Sequence, residues 1–133
     1  MIKYMLDTNI CIYIIKKRPI QVFTKLKEFS PSDIGISAIT LSELEFGVAK
    51  SSNPEKNKIA LTEFLAPIEI LPFDDCAAQE YGMIRKYLQE RGTPIGPLDT
   101  LIAAHAKSHG CALVTNNVSE FCRVPELIVD NWV

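Results

Sequence analysis

The sequence predicts an α/β protein, a three-layer sandwich in which helices cover both faces of a central parallel sheet. Short apolar runs of strand length alternate along the chain with longer segments in which apolar residues recur at helical spacing. Strands that alternate with helices in this way form parallel sheets. The chain has 133 residues, of which 47% are hydrophobic and 23% charged, and this balance suits one compact domain over residues 1–133.

The first half of the chain predicts two strands and four helices. The first strand ends at Asp7, the first helix stops before Pro19, and Pro54 breaks the third helix from the fourth. In order, these elements are strand Ile2–Leu6, helix Asn9–Lys17, a helical stripe from Ile20 to Phe29, strand Ile34–Ala38, a helix from Ser37 or Thr40 to Ala49, and helix Glu55–Leu65.

The second half predicts two long helices among short strands. Asp74 caps a helix that runs to about Arg91, and Gly96-Pro97 begins a second helix that Gly110 ends. The expected strands are Ile68–Leu71, Cys111–Val114 and, as a fifth candidate, Leu127–Val129.

Charge and cysteine content exclude several classes of protein. The net charge of −2 gives no overall signature of nucleic-acid binding, so any positive surface must be local. Candidates for it are two clusters, Lys16, Lys17 and Arg18, and then Arg85, Lys86 and Arg91. The four cysteines form no Cys-x-x-Cys pair and are expected to be reduced. With neither a secretory signal nor a membrane-spanning run in view, we expect a cytoplasmic protein.

Polar residues follow two of the predicted strands directly. They are Asp7-Thr8-Asn9 after the first and Thr115-Asn116-Asn117 after the fourth. Ligands of open parallel sheets bind beyond the carboxyl ends of the strands, so these segments are the candidates for a functional site.

Three acids in the chain each have a functional and a purely structural interpretation. Asp7 is either a helix N-cap or a site ligand, and the two roles are compatible. Glu43 is either a solvent-facing acid or a site residue. Gly47, one turn later, would leave room above the Glu43 carboxylate, although glycine costs a helix roughly 1 kcal/mol relative to alanine.

Asp99 is the third residue of its helix, where the helix dipole alone explains an acid. A helical wheel nevertheless places it beside Ile102 and Ala106 and away from Thr100 and Lys107. An acid that leans towards an apolar face usually has a partner or a metal. Three acids at one rim indicate a hard cation such as Mg²⁺, which activates water for phosphodiester hydrolysis.

Other motifs are weaker. His105 and His109 have the spacing of a zinc pair but lack a third ligand, and both are expected to pack in the core with Leu98 and Ile102. Neither a dinucleotide-binding glycine motif nor a P-loop is present.

The complete pattern resembles a PIN-domain nuclease, and most closely the VapC ribonuclease toxins of bacterial toxin–antitoxin pairs. The resemblance is carried by four segments across the chain: Asp7-Thr8-Asn9, then Ser42-Glu43-Leu44 with Gly47, then Gly96-Pro97-Leu98-Asp99, and Thr115-Asn116-Asn117 with Glu120-Phe121. The stretch RGTPIGPLDTLIAAHA is particularly similar to the VapC subgroup that acts on initiator tRNA.

The resemblance implies a five-stranded parallel sheet and cleavage of RNA with Mg²⁺ or Mn²⁺, leaving a 5′-phosphate and a 3′-hydroxyl. By position, Asp7, Glu43 and Asp99 are the metal-site and catalytic acids. The supporting residues are Thr8, Asn9, Thr115, Asn117 and Glu120. Many members have a further acid where this chain has Asn117, so we expect Asn117 to orient a water or a phosphate, and Glu120 lies one helical turn on.

The implied partners are an RNA, most specifically the anticodon loop of initiator tRNA, a small VapB-like antitoxin, and a second copy of the chain. Antitoxins of this family commonly present an arginine to the acids. Two alternatives remain open: a catalytically silent PIN-fold binding module, and a nuclease for another RNA or for DNA.

Overall fold

The computed structural model describes residues 1–133, which form five strands and seven helices. A short 3₁₀ turn, Pro31–Asp33, precedes the second strand. In chain order the elements are β1 (Tyr4–Leu6), α1 (Thr8–Lys16), α2 (Ile20–Leu26), β2 (Ile34–Ser37), α3 (Ala38–Ala49), α4 (Pro54–Leu65), β3 (Glu69–Leu71), α5 (Asp75–Glu90), α6 (Pro97–His109), β4 (Ala112–Val114), α7 (Val118–Phe121) and β5 (Val129–Asp130).

The five strands form one sheet in the order β3-β2-β1-β4-β5, and every neighbouring pair is parallel. Tyr4 of the central strand pairs with Ile34 of β2 and with Ala112 of β4. The chain first adds strands on one side of β1 and then on the other, so the strand order reverses between β1 and β4. Reversals of this kind open a crevice at the carboxyl ends of the strands, and the crevice is the usual ligand site of such sheets.

Alternation along β1 divides the core into two layers. Met5 faces a cluster covered by α5 and α6, whereas Leu6 faces a cluster covered by α1, α2 and α4 together with Leu44 of α3. Both faces of the sheet are therefore covered by helices, and the predicted three-layer parallel α/β sandwich is confirmed.

Most predicted elements appear with small shifts at their ends. The N-cap of α3 is Ser37, whose Oγ accepts a hydrogen bond from the Ile39 amide at 3.0 Å. The fifth strand lies at Val129–Asp130, slightly beyond the predicted run. The sequence did not predict α7 as an element, because a four-residue helix is too short to show a period.

The helical wheel is wrong for two residues of α6, since it places Thr100 on the polar side of the helix and Leu98 on the apolar side. Thr100 is buried, whereas Leu98 is 45% exposed. Six of the thirteen residues of α6 are buried, so this helix has little polar face to present. Burial of Thr100 is tolerated because its Oγ1 donates to the Gly96 carbonyl at 2.9 Å.

All four cysteines are free thiols, as predicted, and Cys11 and Cys111 are buried. None of the helices combines the length and the apolar character needed to cross a membrane.

A candidate carboxylate site at the carboxyl edge of the sheet

Four carboxylates collect where the strand order reverses. Asp7 directly follows β1, Glu43 lies in α3, Asp99 lies in the first turn of α6, and Glu120 lies in α7 beyond β4. The charges of Glu120, Glu43 and Asp7, in that order, act on Asp99. The structure therefore brings together the three acids that the sequence singled out and adds Glu120 to them.

Asp7 performs both of the roles considered for it. Its Oδ1 accepts a hydrogen bond from the Ile10 amide at 2.9 Å and so caps α1, and the residue is only 5% exposed. Burial raises the pKa of this carboxyl, hydrogen bonds from Thr115 and from the Ile10 amide oppose the rise, and the charge of Glu43 adds to it. The result is a desolvated carboxylate in a fixed orientation.

Glu43 is half-buried and oriented by its neighbour across the crevice. The hydroxyl of Thr8 donates to its Oε1 at 2.5 Å, which ties the start of α1 to α3. A Cβ placed on Gly47 would meet nothing within 4 Å, and Gly47 and Glu43 line the same groove, so the predicted space at Gly47 is present. Asn9 is exposed in the first turn of α1.

Asp99 has the most perturbed carboxyl of the set. Burial together with the three neighbouring carboxylates raises its pKa from 3.8 to about 6. Its position in the first turn of α6 acts in the opposite sense, since a helix N-terminus favours negative charge. Repulsion and desolvation outweigh the helix dipole here.

The segment after β4 supplies the fourth acid. Thr115 is buried, and its Oγ1 accepts a hydrogen bond from the backbone N–H of Asn117 at 2.9 Å. The Nδ2 of Asn117 in turn donates to Oε2 of Glu120 at 3.0 Å. In this arrangement Asn117 orients a carboxylate, and its Oδ1 remains available to another partner.

Nothing in the protein neutralises these four acids. No Lys, Arg or His nitrogen lies within 4.0 Å of any of their carboxylate oxygens. An all-oxygen donor set with unbalanced negative charge suits a hard divalent cation. The residues present therefore fit the metal that the resemblance implies.

The spacing of the acids bears on how such a cation would be held. No three of them bring carboxylate oxygens within 4.8 Å of one another. Ligands bound directly to Mg²⁺ at about 2.1 Å lie within about 4.2 Å of each other, and Mg²⁺ retains several waters. One or two carboxylates would thus bind directly and the others through water. The one set that meets this spacing, Asp74, Asp75 and Cys76, is exposed at the start of α5, where Asp74 caps the helix through the Ala77 amide.

The histidines of α6 do not form a zinc pair. His105 is fully buried, as predicted, but His109 is exposed, so the prediction that both pack in the core is wrong for His109. His105 Nδ1 lies 2.7 Å from Ser37 Oγ, which links α6 to the N-cap of α3. Burial lowers the pKa of His105, and nearby His109 lowers it further. The spacing of residues in the sequence did not predict the contact between His105 and Ser37.

Comparison with known proteins defines the class first. A sequence profile of the PIN domain matches residues 4–127. The chain is 45% identical to ribonuclease VapC2 of Rickettsia felis, with 97% of each chain covered. It is 43% identical to the tRNA(fMet)-specific endonuclease VapC of Salmonella typhimurium, with 99% of each covered.

Solved structures agree with this assignment. The crystal structure of DNA-bound VapBC from Salmonella typhimurium superposes with a TM-score of 0.95 at 43% identity, with all of both chains covered. VapBC2 from Rickettsia felis, bound to a DNA fragment from its promoter, gives a TM-score of 0.92 at 44% identity, again over both full chains. VapBC-5 from Mycobacterium tuberculosis, a member of the VapBC family of toxin–antitoxin systems, gives 0.74 at 25% identity over 98% of each. The chain belongs to the PIN-domain family and, within it, to the VapC ribonucleases.

Proposed function

We propose that this protein is an endoribonuclease toxin that uses Mg²⁺ or Mn²⁺ to cut initiator tRNA in the anticodon loop, and so inhibits translation. One observation carries the proposal. Four crowded carboxylates without a counter-charge lie at the strand edge of a chain that aligns over 99% of its length with a tRNA(fMet)-specific endonuclease.

Crowding of this kind argues for a catalytic role. Each raised pKa reports a carboxylate whose charge the fold disfavours, so the set lowers the stability of the metal-free protein. A silent binding module with the PIN fold would gain nothing from this arrangement. A cation that binds Asp7, Glu43 and Asp99 would restore the lost stability and give the cluster a function.

Three of the four acids have a second residue that sets their orientation. The Thr115 hydroxyl and the Ile10 amide fix Asp7, Thr8 fixes Glu43, and Asn117 fixes the fourth acid. When bound, a divalent cation activates a water for attack and neutralises charge that builds on the phosphodiester. The protein's own contribution is to hold oxygen ligands at the carboxyl edge of the sheet. The expected products carry a 5′-phosphate and a 3′-hydroxyl.

The choice of RNA follows from the relatives. The Salmonella relative is named for its action on tRNA(fMet), and this chain matches it nearly end to end. Loops present unpaired bases, which proteins recognise far more readily than bases inside an RNA helix, so an anticodon loop is a suitable target. A different RNA or a DNA remains the alternative substrate.

The same relatives indicate the partners. The solved neighbours are VapBC assemblies, two of them on DNA, so we propose a small VapB-like antitoxin as the inhibitor. Unpaired carboxylates in a concave site would attract a cationic side chain from that partner. We further propose that residues 1–133 act as one domain, that the toxin is a homodimer, and that it works in the cytoplasm.

The test is to map RNA 5′ ends in cells after induction of the chain without an antitoxin. Matched strains would express Asp99→Asn and Asp75→Asn, the same substitution in the first turn of α6 and of α5. We expect one new 5′-phosphate end in the anticodon loop of initiator tRNA with the natural chain and with Asp75→Asn, and none with Asp99→Asn. Growth inhibition without any cut RNA would identify a silent module, and a cut elsewhere would identify another substrate.

A further inference from the structure

A groove leads away from the carboxylate site between α1, α3 and α4. It has a volume of about 320 Å³, and Glu43 lies at one end of it. Its walls are mainly apolar, and Gly47 leaves open space where a side chain would stand. Lys16, at the end of α1, lines the same groove. The groove therefore connects an acid of the site with a cation.

The cation is the first of three that end α1. Lys16, Lys17 and Arg18 are exposed, and none of them has a carboxylate within 4.0 Å. The Nζ of Lys17 lies 5.2 Å from the centre of the Phe23 ring, and the Nζ of Lys27, at the end of α2, lies 4.4 Å from it. Lys17 and Phe23 line a neighbouring groove, so Lys16 is the member of the cluster in the groove of Glu43. An ammonium group over an aromatic ring keeps its full charge and can still contact a phosphate.

The other basic cluster of the sequence is used differently. Lys86 pairs with Glu90 at 3.6 Å, Arg85 donates to the Tyr81 hydroxyl, and Arg91 stacks on a tyrosine ring. These three cations lie on α5 or at its end, and none of them lines the groove that contains Glu43. Of the two clusters, only the α1 cluster shares a groove with one of the four acids, and it does so through Lys16.

We propose that the RNA strand runs along this groove from Glu43 towards the end of α1, with phosphates beyond the scissile bond on Lys16, Lys17 and Arg18 and one unpaired base over Gly47. The proposal rests on the proposed ribonuclease function and specifies the substrate path. Its physical basis is that four carboxylates repel an incoming phosphodiester chain, and the net charge of −2 offers no general attraction. Cations at the exit of the site can supply the binding energy without entering the metal centre.

The first experiment compares two triple variants that each remove three charges. Lys16→Gln/Lys17→Gln/Arg18→Gln removes the proposed contacts, and Arg85→Gln/Lys86→Gln/Arg91→Gln is the matched control. Equilibrium binding of an initiator-tRNA anticodon stem-loop is measured against salt, with Asp7→Asn added to both so that no cleavage occurs. We expect the α1 variant to bind about tenfold more weakly and its log–log salt slope to fall by about two, because each phosphate contact contributes about 0.7. The control should keep the slope of Asp7→Asn alone.

The second experiment fills the groove without removing charge. Gly47→Leu places a side chain in it, and Gly82→Leu is the control, since a Cβ on either glycine meets nothing within 4 Å and Gly82 lies on α5. We expect KM for the RNA to rise several-fold in Gly47→Leu only, while Mn²⁺ still stabilises both variants. That stabilisation reports an intact acid site.

The outcomes separate the two proposals. If the natural chain cleaves no RNA but the α1 triple variant still binds the stem-loop more weakly, the proposed nuclease activity is refuted and the proposed RNA path stands. If the natural chain cleaves the RNA and the two triple variants bind it with equal salt slopes, the proposed RNA path is refuted and the nuclease activity stands. If Gly47→Leu and the α1 variant left RNA binding intact but abolished capture of a co-expressed antitoxin, the groove would be a protein-docking surface and the RNA path would be wrong.

Discussion

Substitution of Asp99 by Asn should stabilise the metal-free protein while it abolishes RNA cleavage. Near neutral pH the Asp99 carboxyl is ionised in both the folded and the unfolded chain. The fold raises its pKa from 3.8 to about 6, so the ionised form is penalised only in the folded state. Removing the charge removes the penalty.

The magnitude follows from the size of the shift. About two pKa units correspond to about 3 kcal/mol at 1.36 kcal/mol per unit. Asp99 is only half-buried, so solvent screening reduces this to about 1 kcal/mol. Because the folded pKa is the higher one, the destabilising contribution of Asp99 is relieved as pH falls from about 7 towards 4. The advantage of Asp99→Asn should therefore shrink over the same range.

The assay is urea unfolding in EDTA at about pH 7.5 and again at about pH 4.5. Asp75→Asn serves as the control, because Asp75 is exposed in the first turn of α5 and loses only the helix-dipole contribution. We expect Asp99→Asn to be more stable than the natural chain at the higher pH, and Asp75→Asn to be slightly less stable. An Asp99→Asn protein that is destabilised as much as the control, with no pH dependence of its own, would refute repulsion among the acids.

Three further predictions concern the same region. Mn²⁺ at about a hundred times its dissociation constant should stabilise the natural chain by about 2.7 kcal/mol in a thermal melt. The stabilisation should be smaller below about pH 6, where Asp99 binds a proton. An equal stabilisation of Asp99→Asn by Mn²⁺ would contradict this prediction. His105→Leu should cost about 1–3 kcal/mol in urea unfolding because the buried Ser37 hydroxyl loses one of its two partners and keeps only the Ile39 amide. His105→Asn, which can place a polar atom near Nδ1, should recover part of that loss, and equal losses in the two variants would disprove the link. Asn117→Ala should slow RNA cleavage about tenfold by releasing Glu120, with little change in melting temperature, and an unchanged rate would show that the contact is dispensable.

The sequence predicted the parallel sheet because alternating strands and helices leave few other topologies. It also identified Asp7, since an acid that directly follows a central strand must lie at the sheet edge. Glu43 and Asp99 were reached through residue spacing and family resemblance together. The proximity of Glu43 and Asp99 depends on how α3 and α6 pack, and that packing is visible only in the structure.

Features that depend on tertiary packing could not be predicted. The helical wheel failed for Thr100, Leu98 and His109 because burial in α6 follows position along the helix as well as position around it. The buried residues lie between Thr100 and Ala106, whereas Leu98 and His109 lie in the exposed first and last turns. The contact of His105 with Ser37 joins residues 68 positions apart. The two basic clusters look alike in the sequence, and only the structure shows that Lys16 lines the same groove as Glu43.

The claim that one acid cluster cuts RNA with a divalent cation is tested most directly with purified protein and purified initiator tRNA. The chain, stripped of metal with EDTA and freed of any antitoxin, is incubated with the tRNA before and after addition of Mg²⁺, beside Asp7→Asn. We predict one cut in the anticodon loop that appears only with the cation and only with Asp7 present. Cleavage at the same position by Asp7→Asn, or by the natural chain in EDTA, would contradict the account.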